Sequence, residues 1–473
     1  MVEKPAFGTS GLRGPADGFD AAIVGAYVTA FLATSCQTAR EKTLAIAWDR
    51  RASSPAIAAR VAAAAQGAGW QTISCGEIPT PALAHFSLGL AIPAIMVTGS
   101  HIPARYNGLK FYRPEGELRK ADEAPIRDLA EARLIDDWSG AEPHEPVIDD
   151  RARKNYRERF LSAFAPDALA GLTLGVFTHS AVGRDDLVAI LKALGARCEA
   201  FGASDDFVAV DTEAVGAEHL EVMRQALRAH GCDAVVSTDG DGDRPLLLSE
   251  YGAQVNGDII GALAARALGA KTIVTPLTST SAIEASGWFQ TVIRTRIGSP
   301  YVIEAMETAT GSGIVGFEAN GGFLTQTTLT RDGRAISALP TRDALLPIIA
   351  VLADAKSRQE PISALVAHLP PRAMRADRLK DVPQVAGQSL VARLAEDEDL
   401  RRRLDPALAT PAAIDRTDGT RLTLSDGRIV HVRQSGNAPE LRCYVEADTN
   451  ESARETLAAM IARLETLLET LDG

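Results

Sequence analysis

Cysteine is scarce and poorly placed for cross-linking. Only five occur in 473 residues, Cys36, Cys75, Cys198, Cys232 and Cys443, an odd number with no CxxC pair. That argues against a disulfide framework or a zinc site and leaves reduced thiols. No segment approaches the uncharged apolar length that spans a bilayer, and the opening MVEKPAFGTSGLRG has no apolar stretch of the signal-peptide kind. A soluble cytoplasmic protein with no membrane partner is therefore the expectation. Positive charge is also in deficit. A formal net charge of -12 argues against a nucleic-acid partner, while a small anionic ligand in a locally basic pocket stays compatible with it. What is present is ordinary globular composition, 46% hydrophobic and 23% charged, in a chain too long for a single core.

From Ala21 onward helix and strand patterns alternate. Helical residues 21–36, strand 44–48, a helix after Ser54-Pro55, strand 71–75 and helical character at 122–134 make a first α/β unit. A breaker-rich run at 138–143 closes it. A second unit follows, with a charged helix around Tyr156, strands at 172–177, 198–201 and 234–237, and helices at 183–194 and after Thr212. A third starts at Gly257, with strands at 272–275, 291–293 and 313–317, helices near Thr280 and from Pro300, and a long helical region expected from Thr341 to about Ser357. Beyond Pro370-Pro371 the character changes to strands at 421–424, 429–432 and 441–446 with a closing helix at 450–471, the pattern of a smaller α+β domain.

Six polar clusters punctuate this scaffold. Residues 95–112 read IMVTGSHIPARYNGLKFY, a strand that delivers Ser100 to an irregular segment, with His101 and Lys110 as candidate base or polarising partner. Taken alone, this reads more readily as a turn serine beside a solvated histidine. FGTSGLRG at 7–14 is a Gly-rich loop in which Arg13 could grip phosphate or carboxylate, though by itself a flexible N-terminal loop is the more common explanation. The strongest local signal is TDGDGDR, where Asp239, Asp241 and Asp243 alternate with glycines and can face one hard divalent cation. An acidic solvated turn is the alternative; an EF-hand is rejected because Arg244 stands where a glycine is required and strands flank the loop. In FEANGG, Glu318 and Asn320 offer the adjacent acceptors and donors that neighbouring sugar hydroxyls need, although alone it is a hairpin turn. RQSGNAPELR, at 433–442, is either a phosphate cradle or an exposed polar hairpin. RTRIGS, at 294–299, adds a small basic loop containing Arg296.

Ser100, Asp239 and Glu318 each follow a strand in successive α/β segments, where open sheets gather ligand groups. A hydroxyl, a cation site, a hydroxyl-reading loop and an anion cradle suit phosphoryl transfer to or from a sugar. In order and spacing, TGSHIPARYNGLK, TDGDGDR, FEANGG and RQSGNAPELR resemble the motifs of the α-D-phosphohexomutase superfamily, which includes phosphomannomutases, phosphoglucomutases and phosphoglucosamine mutases. The resemblance covers nearly the whole chain. It implies three related α/β domains with mixed sheets and a smaller C-terminal α+β domain around a central cleft, divided at 1–145, 146–252, 253–369 and 370–473. Pro370-Pro371 would then be a hinge.

The resemblance also implies roles. Ser100 would carry the phosphoryl group of the resting enzyme, and Asp239, Asp241 and Asp243 would hold Mg²⁺ together with a phosphoserine oxygen. His101 and Lys110 would serve proton transfer or charge stabilisation, with Arg13 and Arg244 supporting phosphoserine and substrate. Glu318 and Asn320 would bind sugar hydroxyls, Arg433, Ser435, Asn437 and Arg442 the phosphate that does not react, and Arg296 would join them as a substrate-binding residue. A hexose phosphate would pass through a hexose 1,6-bisphosphate, with mannose phosphate as the leading substrate and glucose, glucosamine or acetylglucosamine phosphates as alternatives. A monomer or homodimer is expected. Gly99, Ile102, Asn320, Gly322 and Asn437-Ala438 depart from the commonest Ala, Asn, Ser, His and Thr-Glu of these motifs without removing a phosphoryl or metal group. They bear on which sugar is taken. Two other classes compete: a Mg²⁺-dependent sugar phosphatase, which would release inorganic phosphate, and a non-catalytic sugar-phosphate binder.

Overall fold

The computed structural model describes residues 4–8, 11–134, 147–436 and 438–471, so the expected boundary at 138–143 lies outside the described residues. The chain forms two compact units, Met1–Val274 with Gly298–Val366, and Thr275–Ile297 with Ala367–Gly473.

The first unit holds three mixed sheets. Strands β1 (Ala6–Gly8), β2 (Gly11–Pro15), β3 (Thr43–Trp48), β4 (Gln71–Glu77), β5 (Ala94–Val97), β6 (Tyr106–Arg113) and β7 (Gly116–Glu117) make the first, in the order β1-β2-β6-β5-β3-β4, with β7 on β6. Its helices are α1 (Ala21–Ser35), α2 (Ser54–Gly67), α3 (Thr80–Leu90) and α4 (Lys120–Arg133). β3 and β5 are buried along their whole length and pair in parallel, which is why they read as unbroken apolar runs. α1 is almost entirely apolar, and Asp20 starts it by accepting from Ile23 N at 2.8 Å. Of FGTSGLRG, Thr9 and Ser10 lie outside the described residues, and the rest is strand: β1 and β2 pair antiparallel, and Arg13 stands on β2 opposite Gly108 of β6.

The second sheet runs β12-β11-β10-β8-β9, from β8 (Thr173–Phe177), β9 (Arg197–Phe201), β10 (Ala234–Thr238), β11 (Pro245–Leu248) and β12 (Gln254–Val255), with helices α5 (Arg151–Ala163), α6 (Arg184–Ala193) and α7 (Ala217–His230). In the third, α8 (Gly257–Ala267) precedes β13 (Thr272–Pro276); α9 (Ala282–Ala285) and β14 (Thr291–Thr295) belong to the second unit. The chain returns with α10 (Ser299–Thr308), β15 (Ile314–Phe317), β16 (Phe323–Thr325), a hairpin of β17 (Leu329–Arg331) and β18 (Arg334–Ile336), β19 (Leu339–Asp343), α11 (Leu345–Arg358) and α12 (Ile362–Ala367). β13, β15, β16 and β19 lie side by side.

One arrangement recurs in all three. A strand laid parallel to its neighbour turns back into an antiparallel partner, as β5 into β6, β10 into β11 and β15 into β16. Those three turns carry Ser100, the aspartates and Glu318.

The expected helix from Thr341 starts later. Residues 339–343 are strand β19, and Asp343 Oδ1 accepts from Leu345 N at 2.9 Å, so the helix begins beyond it. The second unit also contains an antiparallel sheet, β20 (Ala373–Lys380), β21 (Ala413–Asp415), β22 (Thr420–Thr423), β23 (Ile429–Gln434) and β24 (Glu440–Ala447), ordered β20-β24-β23-β22-β21. With it go α13 (Gln384–Glu396), α14 (Glu398–Leu404) and α15 (Asn450–Leu471), whose apolar residues close a core on Leu422, Val430, Val432, Leu441, Cys443 and Val445. No helix among the described residues is long and apolar enough to cross a membrane, and the five cysteines are unpaired.

His179, buried between β8 and α6, donates through Nε2 to Thr238 O at 2.9 Å, whereas Nδ1 has no hydrogen-bond partner. Burial pulls its pKa from 6.5 to about 4. The unfolded chain takes up this proton first, so the contribution is whole above pH 6.5 and is lost as pH falls toward 4. The φ of +21° at His179 suits asparagine. His179→Asn should therefore flatten the acid loss of unfolding free energy by about 2.5 kcal/mol, measured by urea denaturation at pH 7.5 and 4.5.

Candidate functional site

Ser100 is placed by an arginine that the sequence reading passed over. Just beyond β3, buried Arg51 pairs through Nε with Asp49 Oδ2 at 3.0 Å. Its Nη2 donates to Ser100 O (2.9 Å) and Ile102 O (2.6 Å), and its Nη1 to Pro103 O (2.7 Å) and Tyr106 O (2.9 Å). Phe207, from the loops beyond β9, lies against the guanidinium at 3.8 Å. The arginine needs a bare backbone, because a Cβ at Gly99 would come 2.6 Å from its Cζ. Asp49 also accepts from Thr98 Oγ1 at 2.7 Å, and that oxygen accepts from Ser100 N at 2.8 Å. Held so, Ser100 adopts φ +53°, the left-handed region that non-glycine residues seldom enter outside functional sites.

Its Oγ then donates to Asp239 Oδ2 at 2.8 Å, with His101 Nδ1 3.3 Å away. Asp239, Asp241 and Asp243 are buried, and one carboxylate oxygen of each lies within 4.8 Å of the others. Lys110 of β6 puts Nζ 2.5 Å from Asp241 Oδ2 and 2.7 Å from Asp243 Oδ2. Thr80, opening α3, donates Oγ1 to Asp241 Oδ2 at 2.6 Å and N to Asp241 O at 2.9 Å. Burial raises all three carboxyl pKa values; Asp239 stays raised with its two like-charged neighbours, while Lys110 brings Asp241 below the usual range and Arg342, foremost, does the same for Asp243. Asp241 Oδ1 and Asp243 Oδ1 are buried without hydrogen-bond partners. Orphaned, all-oxygen and anionic, this donor set fits a hard divalent cation.

Around the triad stand further cations. Arg244 Nε is 3.7 Å from Asp243 Oδ1. Arg13 has no ion-pair partner among the described residues, and burial, with Arg244 and Arg342, lowers its pKa to about 10. His101 falls to about 4 through burial first and Arg244 second, so its imidazole is neutral near pH 7.

In the β15–β16 turn, Asn320 Oδ1 accepts from Gly322 N at 2.9 Å and its Nδ2 donates to Glu318 Oε2 at 3.4 Å. Arg342 ties this turn to the aspartates: Nη1 donates to Glu318 Oε2 at 3.2 Å, and Nη2 lies 2.9 Å from Asp243 Oδ2. Sequence reasoning missed Arg342 by reading residues 341–343 as helix.

The second unit carries the remaining candidates. Arg433 on β23 and Arg442 on β24 are register partners, and Arg378 of β20, also unread, pairs with Arg442. Three arginines thus share one face in a cross-strand row, with Ser435 just past Arg433. Like charges directly opposite are unfavourable. Asp418 Oδ2, 3.2 Å from Arg433 Nε, and Glu440 Oε2, 3.1 Å from Arg442 Nη2, offset part of this. Arg296 Nε donates to Thr417 O at 3.1 Å, and Ile297 N to Asp418 Oδ2 at 3.0 Å, which brings the basic loop to the same strand end. Asn437 lies outside the described residues. Among the described residues of the first unit, Ser100, His101, Lys110, Arg244, Asp239, Asp241, Asp243, Glu318 and Asn320 join in one network through the contacts above.

Arg51→Met would leave Asp49 buried without its cation. It should destabilise the first unit by about 3–5 kcal/mol and expose the Ser100 turn, read by thermal unfolding and by new proteolytic cleavage near 100–106.

Phosphoglucomutase/phosphomannomutase domain models match in succession: alpha/beta/alpha domain I at residues 4–134, domain II at 154–252, domain III at 256–373 and the C-terminal domain at 375–464. A phosphomannomutase of Sinorhizobium fredii is 42% identical over 97% of this chain and 98% of its own, and one of Salmonella muenchen 41% identical over 98% and 96%. The crystal structure of a phosphoglucomutase/phosphomannomutase family protein from Burkholderia thailandensis superposes with a TM-score of 0.77 at 20% identity, covering 98% of each chain, and shares the fold. With all four domains matched in order and relatives at 41% and 42% identity over nearly the full chain, the chain belongs to the phosphoglucomutase/phosphomannomutase family.

Proposed function

We propose that this phosphohexomutase is a phosphomannomutase, interconverting mannose 1-phosphate and mannose 6-phosphate through a phosphoryl group carried on Ser100. The observation that carries the reading is the Ser100 Oγ contact of 2.8 Å to a buried aspartate triad. Likeness to two phosphomannomutases over nearly the full chain supports mannose as the sugar.

In this reading Arg433, Ser435, Asn437 and Arg442 hold the phosphate that does not react, Arg296 assists, and Glu318 with Asn320 takes sugar hydroxyls. The free sugar hydroxyl attacks the phosphorus on Ser100. An O–P bond forms to the sugar, the Oγ–P bond breaks, the hydroxyl gives up its proton and Ser100 Oγ gains one. His101, neutral and 3.3 Å from Oγ, is suited to carry that proton. Lys110 is committed to Asp241 and Asp243, a position that favours charge compensation over proton transfer. The hexose 1,6-bisphosphate then presents its other phosphate, and the reverse transfer restores the serine phosphate and frees the isomer. Mg²⁺ held by Asp239, Asp241, Asp243 and a phosphoryl oxygen would neutralise charge on the group in flight.

Charge supports this assignment. Arg13, Lys110, Arg244 and Arg342 face Asp239, Asp241, Asp243 and Glu318, so a dianionic phosphoryl group and a divalent cation entering together leave the balance unchanged. Arg13 and Arg244 are the cations with most left to give a phosphate.

Protein supplied with Mg²⁺ and a trace of mannose 1,6-bisphosphate should interconvert the two mannose phosphates faster than glucose or glucosamine phosphates, and intact-mass mapping should find one phosphoryl group on Ser100. Ser100→Ala should lose both, the activity by about a thousandfold or more. Inorganic phosphate released without isomer would favour a phosphatase, and inactivity on every hexose phosphate would overturn the proposal. Chelation should abolish turnover and added Mg²⁺ restore it.

A further inference from the structure

Arg342 joins two loops that belong to different sheets. Its side chain is 4% exposed, spans Asp243 and Glu318, and keeps Nε buried with no hydrogen-bond partner. Room for it is made at Gly322, where a Cβ would stand 2.6 Å from Arg342 Cδ and 2.8 Å from Cγ. The aliphatic stem of Arg342 therefore lies across the β15–β16 turn, packed on bare backbone.

Each end of the bridge has a distinct effect. At Asp243, Oδ2 is met by Lys110 Nζ at 2.7 Å and by Arg342 Nη2 at 2.9 Å. A divalent cation drawn to the triad must share that carboxylate with two positive charges already in place. At Glu318 both side-chain partners, Arg342 and Asn320, use Oε2. Oε1 has no hydrogen-bond partner among the described residues, so the carboxylate is fixed with one oxygen left for a ligand hydroxyl.

We propose that Arg342 is a positioning residue acting on the two ligands of this site in opposite senses: it orients Glu318 for the sugar and weakens the hold of the aspartate triad on its divalent cation. The guanidinium, together with Lys110, offsets the buried aspartates before any cation arrives, and the same charge then opposes the cation. The sugar half rests on the mutase reading; the metal half does not.

Two measurements separate the halves. Mn²⁺ is titrated calorimetrically into metal-free protein without substrate, and KM and kcat for mannose 1-phosphate are taken at saturating Mg²⁺. Arg342→Ala should bind Mn²⁺ about threefold tighter or more, as expected when a cation leaves a ligand carboxylate. Its KM should rise about tenfold with kcat changed less than about threefold. Arg342→Lys keeps the charge but cannot fork to both carboxylates, so its Mn²⁺ affinity should stay within about twofold of the parent while KM still rises. Gly322→Ala leaves the arginine present and displaces its stem, and should raise KM as well.

Unchanged or weaker Mn²⁺ binding in Arg342→Ala overturns the metal half. An unchanged KM in Arg342→Lys and Gly322→Ala overturns the sugar half, and these two variants decide it if Arg342→Ala does not fold. A parent protein that interconverts no hexose phosphate sinks the mutase reading instead, and the Mn²⁺ titration still decides the rest.

Discussion

Three carboxylates buried within 4.8 Å of one another are the most demanding feature of this molecule. Each ion taken out of water costs several kcal/mol, and like charges add to that cost. Compensation arrives from every side of the first unit: Lys110 from β6, Thr80 from the start of α3, backbone N–H groups of Asp243 and Arg244 on Asp239 Oδ1, and Arg342 from β19. The groups that make the loop tolerable are also those that fix the neighbouring sheets to it. Ser100 inherits its place from this arrangement, with Asp239 receiving its hydroxyl on one side and Arg51 bracing its carbonyl on the other.

The repeated turn explains how one site draws on three sheets. In each, a parallel strand ends and the chain doubles back, so a short loop sits beyond the carboxyl end with both flanks anchored in a sheet. Such a loop is far stiffer than a long surface connection. Under the proposed mechanism the copies divide the chemistry: a nucleophile in the first, cation ligands in the second, a hydroxyl acceptor in the third. The second unit differs in kind. Its antiparallel sheet packs one face on α13 and α15 and displays Arg378, Arg442 and Arg433 on the other, an array suited to charge recognition and holding no group for transfer.

The sequence showed the motifs because they are dense in glycine and in residues of one chemical type. TDGDGDR announces itself locally, and the strands that precede it and Ser100 are short and buried throughout, β5 wholly apolar and β10 opening on Ala234-Val235-Val236. What it hid were solitary residues whose meaning depends on remote partners. Arg51 follows Asp49 in an ordinary DRR triplet, and only the fold shows four carbonyl oxygens converging on it. Arg342 was masked by the apolar run of α11, which extends the helical pattern backward over a strand that Asp343 terminates. β20, and Arg378 with it, has mostly exposed residues on both faces and so no alternation to detect. Gly322 was visible as a departure from the commonest motif. Its reason is steric, since Arg342 lies where a side chain would be.

The contacts of Thr80, Lys110 and Arg342 with the acidic loop place that loop under two kinds of selection at once. A lineage released from turnover could shed Ser100 at little structural expense, because its hydroxyl makes one bond to Asp239 and a contact to His101. Loss of an aspartate is different: it strands buried cations contributed by the first and third sheets. Descendants that abandon catalysis should therefore keep the aspartates long after the serine has drifted, and an intact acidic loop in such a chain would testify to folding history before it testified to enzymatic life.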